Sequence, residues 1–183
     1  MDMHIIKIKG QGGNMQFIKY IELILLLLAT SYIGVLISKG YLYRVKELKD
    51  MKNALNIFAT KINFTYEPIP EIFMEISKKV EANVGNIFYV ASKKMDEQNA
   101  GTAWMQALET AQTNMNKEDI EVLKGLSNLL GKVDLEGQIG EIKLVDKFLD
   151  TQINKAEEEK SKYSKLYKSL GVTIGLAIVI ILL

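Results

Sequence analysis

The sequence has no cysteine, one histidine, one tryptophan and two prolines. Each shortage excludes something. Without cysteine there is no disulfide, no thiolate metal site and no thiol nucleophile. The one histidine, His4, lies in segment 1–14, so the rest of the chain has no imidazole for proton transfer or metal ligation. An excess of one charge is also missing. The 23 basic and 22 acidic residues leave a formal net charge of +1, which argues against nucleic acid as a partner. Phosphate loops are absent too. Gly10-Gln11-Gly12-Gly13 is not followed by Lys-Ser/Thr. The Gly125…Gly131-Lys132 stretch has the wrong spacing and places Val133 where magnesium needs a hydroxyl. Carboxylates and lysines are otherwise scattered without convergent partners, so the expectation is a chain that is not an enzyme and needs no cofactor.

What the chain does have is a pair of long apolar segments, one near each end. The first covers 17–37, with an unbroken apolar run over 23–37. A bilayer core of about 30 Å needs about 20 helical residues, and this segment meets that length. The second, 170–183, carries no charged side chain but reaches only about 21 Å as a helix. It therefore needs Tyr163, Leu166 and Tyr167, or a thinner bilayer, to span. Lys39, Arg44, Lys46, Lys49 and Lys52 follow the first segment, and Lys155, Lys160, Lys162, Lys165 and Lys168 precede the second. The distal sides hold only His4, Lys7, Lys9 and Lys19. Basic residues stay in the cytoplasm, so both ends predict a two-pass protein of the cell membrane whose middle is cytoplasmic. The expected organisation is a tail over 1–14, a transmembrane helix over 15–37, a cytoplasmic domain over 38–169 and a second transmembrane helix over 170–183. Lys19 and Glu22 are expected to snorkel as an i,i+3 pair. Gly12-Gly13-Asn14-Met15 reads like a translated ribosome-binding sequence, so Met15 is expected to be the natural start; mapping the N-terminus by mass spectrometry tests this.

Between the anchors the apolar period is helical, and no segment alternates as a strand does. Val45, Leu48, Met51, Leu55, Phe58 and Ile62 form one stripe over 40–64. Pro68 and Pro70 interrupt it, and a second helix over 69–82 points Ile72, Phe73, Ile76 and Val80 inward. Asn83 or Asn86 is expected to cap a third helix carrying Ile87, Phe88, Val90, Ala91 and Met95. The Asn99-Ala100-Gly101 break and Thr102 open a fourth around Trp104, Ala107, Leu108 and Ala111. Asn116 caps a fifth, with Asp119 at its third position and a stripe of Ile120, Leu123, Leu126, Leu129 and Leu130. Gly131 suits the end of that helix and Asp134 the start of a sixth, which runs through Ile139, Ile142, Val145, Leu149, Ile153 and Ala156 into the second anchor. Short connections between helices of this length favour antiparallel neighbours. The predicted fold is therefore all-α, an antiparallel bundle of about six helices between two transmembrane helices.

Two groups carry candidate functions. Capping accounts for Leu130, Gly131 and Asp134, but not for Gln138, one turn into the sixth helix, which is left for a partner contact. The charged run over 156–163 is expected to pair Glu157 with Lys160 and Glu158 with Lys162. Lys160, Lys162, Lys165 and Lys168 are candidates for contact with anionic headgroups at the bilayer surface.

The order of these elements is similar to a known pattern. It comprises the first anchor, Arg44-Val45-Lys46-Glu47-Leu48, the corner Tyr66-Glu67-Pro68-Ile69-Pro70, Gly101-Thr102-Ala103-Trp104, the L-G-x-x-D-x-x-x-Q element of Leu130, Gly131, Asp134 and Gln138, and the terminal Lys168-Ser169-Leu170-Gly171. In that order they resemble the stage III sporulation protein AB family, over about residues 15–183. Ile69-Pro70 departs from the commoner pairing of proline with leucine and a small polar residue. The family looks like a single-repeat relative of the inner-membrane platform proteins of type II secretion and type IV pilus systems. The resemblance implies a scaffold in the channel complex between mother cell and forespore, beside a companion secretion-type ATPase and other membrane components. A second copy of the chain is a further candidate partner. The competing expectation is a membrane-tethered helical regulatory adaptor unrelated to secretion.

Overall fold

The computed structural model describes the backbone of residues 3–65, 67–128, 130 and 135–183. Side chains are described from Gln16 onward within those stretches, except at positions 135, 136, 138 and 139. The described residues are helical and hold no strand. They form α1 (Met3–Phe64), α2 (Ile69–Lys79), α3 (Ala82–Lys94), α4 (Ala100–Glu109), α5 (Lys117–Lys124), a 3-10 turn (Gly125–Asn128) and α6 (Leu135–Leu182). They fall into two compact units, one of Gly40–Lys160 and one of Met1–Lys39 with Ser161–Leu183. The expected break before Gly40 does not occur, and α1 runs through it. A lone helical glycine costs only about 1 kcal/mol, and no proline stands near Gly40 to end the helix.

In the unit Gly40–Lys160, the expected stripe of α1 is buried from Val45 to Ile62. Pro70 stands in the first turn of α2, where its missing N–H costs nothing. That helix stops at Lys79, short of the expected 82, because Val80 is extended (φ −114°, ψ 169°). Neither expected asparagine caps α3. Glu81 takes that position without a capping hydrogen bond from its side chain, and Asn83 donates instead to Glu47 (Nδ2–Oε1 2.8 Å). α4 starts at Ala100, inside the expected break, because Asn99 caps it by accepting from the Thr102 N–H at 2.9 Å. The capping box of α5 forms as expected, with Asp119 N–H donating to Asn116 at 2.9 Å and Asn116 N–H to Asp119 at 2.8 Å. The single stripe expected through Leu130 is broken by the 3-10 turn. Gly125 weakens the helix there, and the Ser127 hydroxyl takes up the Lys124 carbonyl at 2.7 Å. Leu126 and Leu130 are buried all the same.

The centre is aromatic. Phe73 meets Phe58 and Phe88 edge-on, each with centroids 5.0 Å apart, and Trp104 stands 5.3 Å from Phe88. Such pairs add about 0.5–1.5 kcal/mol beyond the area they bury. Trp104 Nε1 donates to the Leu123 carbonyl at 2.8 Å, so the indole is buried with its polar atom satisfied. α6 covers the core with Ile142, Val145, Leu149, Ile153 and Ala156. It lies antiparallel to α1, since Lys52 pairs with Asp146 and Asp150, Lys49 with Glu157, and Arg44 with Glu159. Glu157 thus pairs with Lys49 rather than with Lys160 as expected, and the expected Glu158–Lys162 pair is not among the described ion pairs.

Candidate functional site

The unit of Met1–Lys39 with Ser161–Leu183 is an apolar hairpin. At one level the Ser38 and Ser164 hydroxyls share a hydrogen bond of 2.6 Å. Above it the two backbones close on glycine. A Cβ at Gly34 would stand 2.5 Å from the Tyr167 carbonyl oxygen, and one at Gly171 would stand 2.8 Å from the Thr30 carbonyl oxygen. Small residues at such crossings are how apolar helices gain packing without a hydrophobic driving force between them. At the far level Lys19 Nζ donates to the Leu183 carbonyl oxygen at 3.1 Å. The pairing expected between Lys19 and Glu22 is not among the described ion pairs. From Ser38 to Lys19, and from Ser164 to Leu183, each helix rises about 28 Å, close to the thickness of a bilayer core. α6 is continuously helical through Leu166 and Tyr167 into the apolar run over 170–182. Both helices are long and apolar enough to cross a membrane. Their outward side chains are large and apolar, with Leu28 61% and Ile181 81% exposed, as suits an apolar surrounding rather than water.

The unit Gly40–Lys160 holds a buried charge cluster. Arg44 is 5% exposed and Asp119 is fully buried. The guanidinium grips Asp119 side-on, Nε to Oδ2 at 2.7 Å and Nη2 to Oδ1 at 3.0 Å, and its Nη1 reaches Glu159 at 2.6 Å. The bonds to Asp119 outweigh desolvation and push Arg44 above its ordinary value. Asp119 therefore serves two structures, the cap of α5 and the counter-charge of α1. Glu47, also buried, is in no ion pair among the described residues. Its carboxylate accepts from Asn83, from Asn114 N–H at 2.6 Å and from the Asn114 amide at 2.8 Å. Nearby, burial first and then Glu81 raise the Asp50 carboxyl, against the pull of Lys46. Its Oδ2 is buried with no hydrogen-bond partner among the described residues. Sequence reasoning missed this cluster because Arg44 was counted with the basic residues flanking the anchor. The signal was spacing: Arg44 lies one turn before Leu48, on the apolar stripe itself.

The residues predicted to contact partners are placed unevenly. Leu130 is buried, and its N–H donates to the Leu126 carbonyl at 3.1 Å. Gly131, Asp134 and Tyr66 lie outside the described residues, and so does the side chain of Gln138 in the first turns of α6. Pro68 precedes α2, and its carbonyl accepts from Glu71 and Ile72. Lys61 ties this corner by pairing with Glu67 at 3.1 Å and with Glu75. Bonds from Lys61 and then Lys79 hold Glu75 down at about 2. Lys160 is half-buried in the larger unit, whereas Lys162, Lys165 and Lys168 are exposed on the hairpin unit. Among the described residues no group of acidic or histidine side chains is disposed to hold a metal.

The class these features define is an all-helical protein with two membrane-length apolar helices, whose buried charges are spent on structure. The chain belongs to the stage III sporulation protein AB family, whose pattern matches residues 19–183. It is 28% identical over 170 residues to stage III sporulation protein AB of Bacillus subtilis (strain 168), covering 91% of this chain and 99% of that protein. A solved structure of stage III sporulation protein AB is similar with a TM-score of 0.60 and 26% identity, covering 66% of this chain and 98% of that one. Family membership supports a role in sporulation, and these relatives are named as sporulation proteins rather than enzymes.

Proposed function

We propose that the chain is a non-enzymatic membrane platform in the secretion-like channel complex between mother cell and forespore, coupling a cytoplasmic ATPase to membrane components. The observation that carries this reading is the apolar hairpin of bilayer length in a chain of a sporulation family. In this reading 15–37 and 170–183 span the mother-cell membrane facing the forespore, and 38–169 forms an antiparallel bundle in the cytoplasm. The pairing of Arg44 with Asp119 and of Glu47 with Asn83 and Asn114 supports a scaffold, since these groups hold helices together. The L-G-x-x-D-x-x-x-Q element and the corner at Tyr66 and Pro68 are the segments assigned to partners.

Crosslinking with mass spectrometry in sporulating cells tests the proposal. The expected result is crosslinks from exposed lysines of the larger unit, such as Lys143 and Lys147, to a secretion-type ATPase, together with links to other small membrane proteins. Links confined to regulatory proteins outside any secretion-like assembly would instead assign the chain to a tethered adaptor.

A further inference from the structure

Lysines on the two units of the molecule are treated differently. In Gly40–Lys160 the lysines of α1 are neutralised internally: Lys46 by Glu81, Lys49 by Glu157, and Lys52 by Asp146 and Asp150. On the hairpin unit, Lys39, Lys162, Lys165 and Lys168 are exposed, and none is in an ion pair among the described residues. The sequence offers them few acids. From Ser161 to its end the chain has no Asp or Glu, and Glu22, the acid of segment 1–39 nearest Ser38, lies about 24 Å along α1 from it. That is well beyond the screening length of about 8 Å. Just before Ser161, Glu157 and Glu159 are committed to Lys49 and Arg44, which leaves only Glu158 against four lysines.

These four lysines gather at one level. Lys39 is next to Ser38, and Lys162 and Lys165 flank Ser164, so all three lie at the Ser38–Ser164 hydroxyl pair. Lys168 stands about 6 Å further along α6, a distance that a lysine stem covers when its ammonium turns back toward the interface. The three α6 lysines recur every third residue along one flank of the helix. Aromatic rings stand among them, with the Lys162 ammonium 5.1 Å from the Tyr163 ring centroid and Tyr163 6.4 Å from Tyr167. Tyrosines at this level are the amphipathic rings that settle where hydrocarbon gives way to headgroups.

We propose that Lys39, Lys162, Lys165 and Lys168 form a binding surface for anionic lipid headgroups, placed by the Ser38–Ser164 pair at the edge of the hairpin. The proposal rests on the membrane reading of the hairpin and adds a lipid preference to it. Lys160, half-buried in the other unit, is not part of the surface.

The test uses the full chain and two measurements. Reconstitution into phosphatidylcholine vesicles followed by alkaline extraction tests insertion alone, and extraction of the protein would defeat the membrane reading rather than the lipid preference. Phosphatidylglycerol is then titrated into the protein in uncharged detergent while its thermal midpoint is followed. A saturable, salt-sensitive rise is expected. Each lysine near an anionic surface is worth about a fivefold preference, so K162Q/K165Q/K168Q should bind about a hundredfold more weakly. K78Q/K93Q/K147Q, which removes three exposed lysines of the other unit, should bind as the natural protein does. If the first triple variant is itself unstable without lipid, single K165Q and K168Q variants should each show a graded loss. The same rise with inorganic phosphate, no preference over phosphatidylcholine, or full binding by the first triple variant would each overturn the proposal.

Discussion

Arg44 occupies a position that spacing assigns to the core, and it tolerates burial because Asp119 and Glu159 meet three of its nitrogens. Removing one partner of such a cluster costs more than the cluster contributes. Arg44→Met should therefore destabilise the chain by about 3 kcal/mol or more, since Asp119 is left charged and buried. Arg44→Met with Asp119→Asn should recover much of that loss, as read from denaturant midpoints. An equal loss in the single and double variants would show that packing, not charge, sets the cost. Asp50 makes the opposite case. Its carboxyl is raised above the usual range, so the folded state holds the proton more tightly than the unfolded one. Stability is then lost as pH rises through the folded value and is regained in acid. Asp50→Asn should raise the thermal midpoint at neutral pH by about a degree or more, with the gain fading toward acid pH. The capping residue Asn116 was legible because its partner lies three residues away in sequence. Arg44, Glu47 and Asn114 were not, since nothing local says which distant group will meet a buried charge.

Elements were read well where one force dominates. Helix stripes and the two apolar segments follow from period and length alone, and those forces placed α1, α2, α4 and α6. The misplaced edges lie where weak preferences compete: Gly40 inside α1, Val80 after α2, and the 3-10 turn after α5. The hairpin was legible as two segments but not as a pair, because Gly34, Gly171 and Gly175 mark a crossing only when seen across from each other. The natural absence of cysteine makes that crossing testable. Cysteines at Ser38 and Ser164 should form a disulfide on mild oxidation, and Gly34→Leu should sharply reduce its yield by driving a side chain into the Tyr167 backbone. An undiminished yield would show that the helices meet elsewhere. Gln138 lies four residues before Ile142 and seven before Val145, both buried, so its backbone register alone does not make it a surface residue. Gln138→Ala should weaken capture of the companion ATPase while holding the thermal midpoint within about 2 °C. A fallen midpoint with capture intact would return Gln138 to the core.

For the whole molecule, the basic residues around the hairpin remain the basis for placing the middle of the chain in the cytoplasm. Arg44 and its neighbouring lysines now have internal partners, so Lys39, Lys162, Lys165 and Lys168 bear most of that argument. Cysteines at the exposed positions Glu97 and Gln112 should escape impermeant thiol reagents in intact cells and react once the membrane is opened. Labelling of intact cells would reverse the orientation. The double duty of Asp119 has a consequence of its own. α5 has 8 residues, too few to persist as an isolated helix in water. Any local opening of α5 takes the buried Asp119 away from Arg44 and leaves it Glu159 alone, so that opening carries the penalty of a weakened charge cluster on α1. Its amides should consequently exchange with solvent deuterium as slowly as those of the neighbouring core helices, in one cooperative event, rather than at the rate of a frayed surface turn.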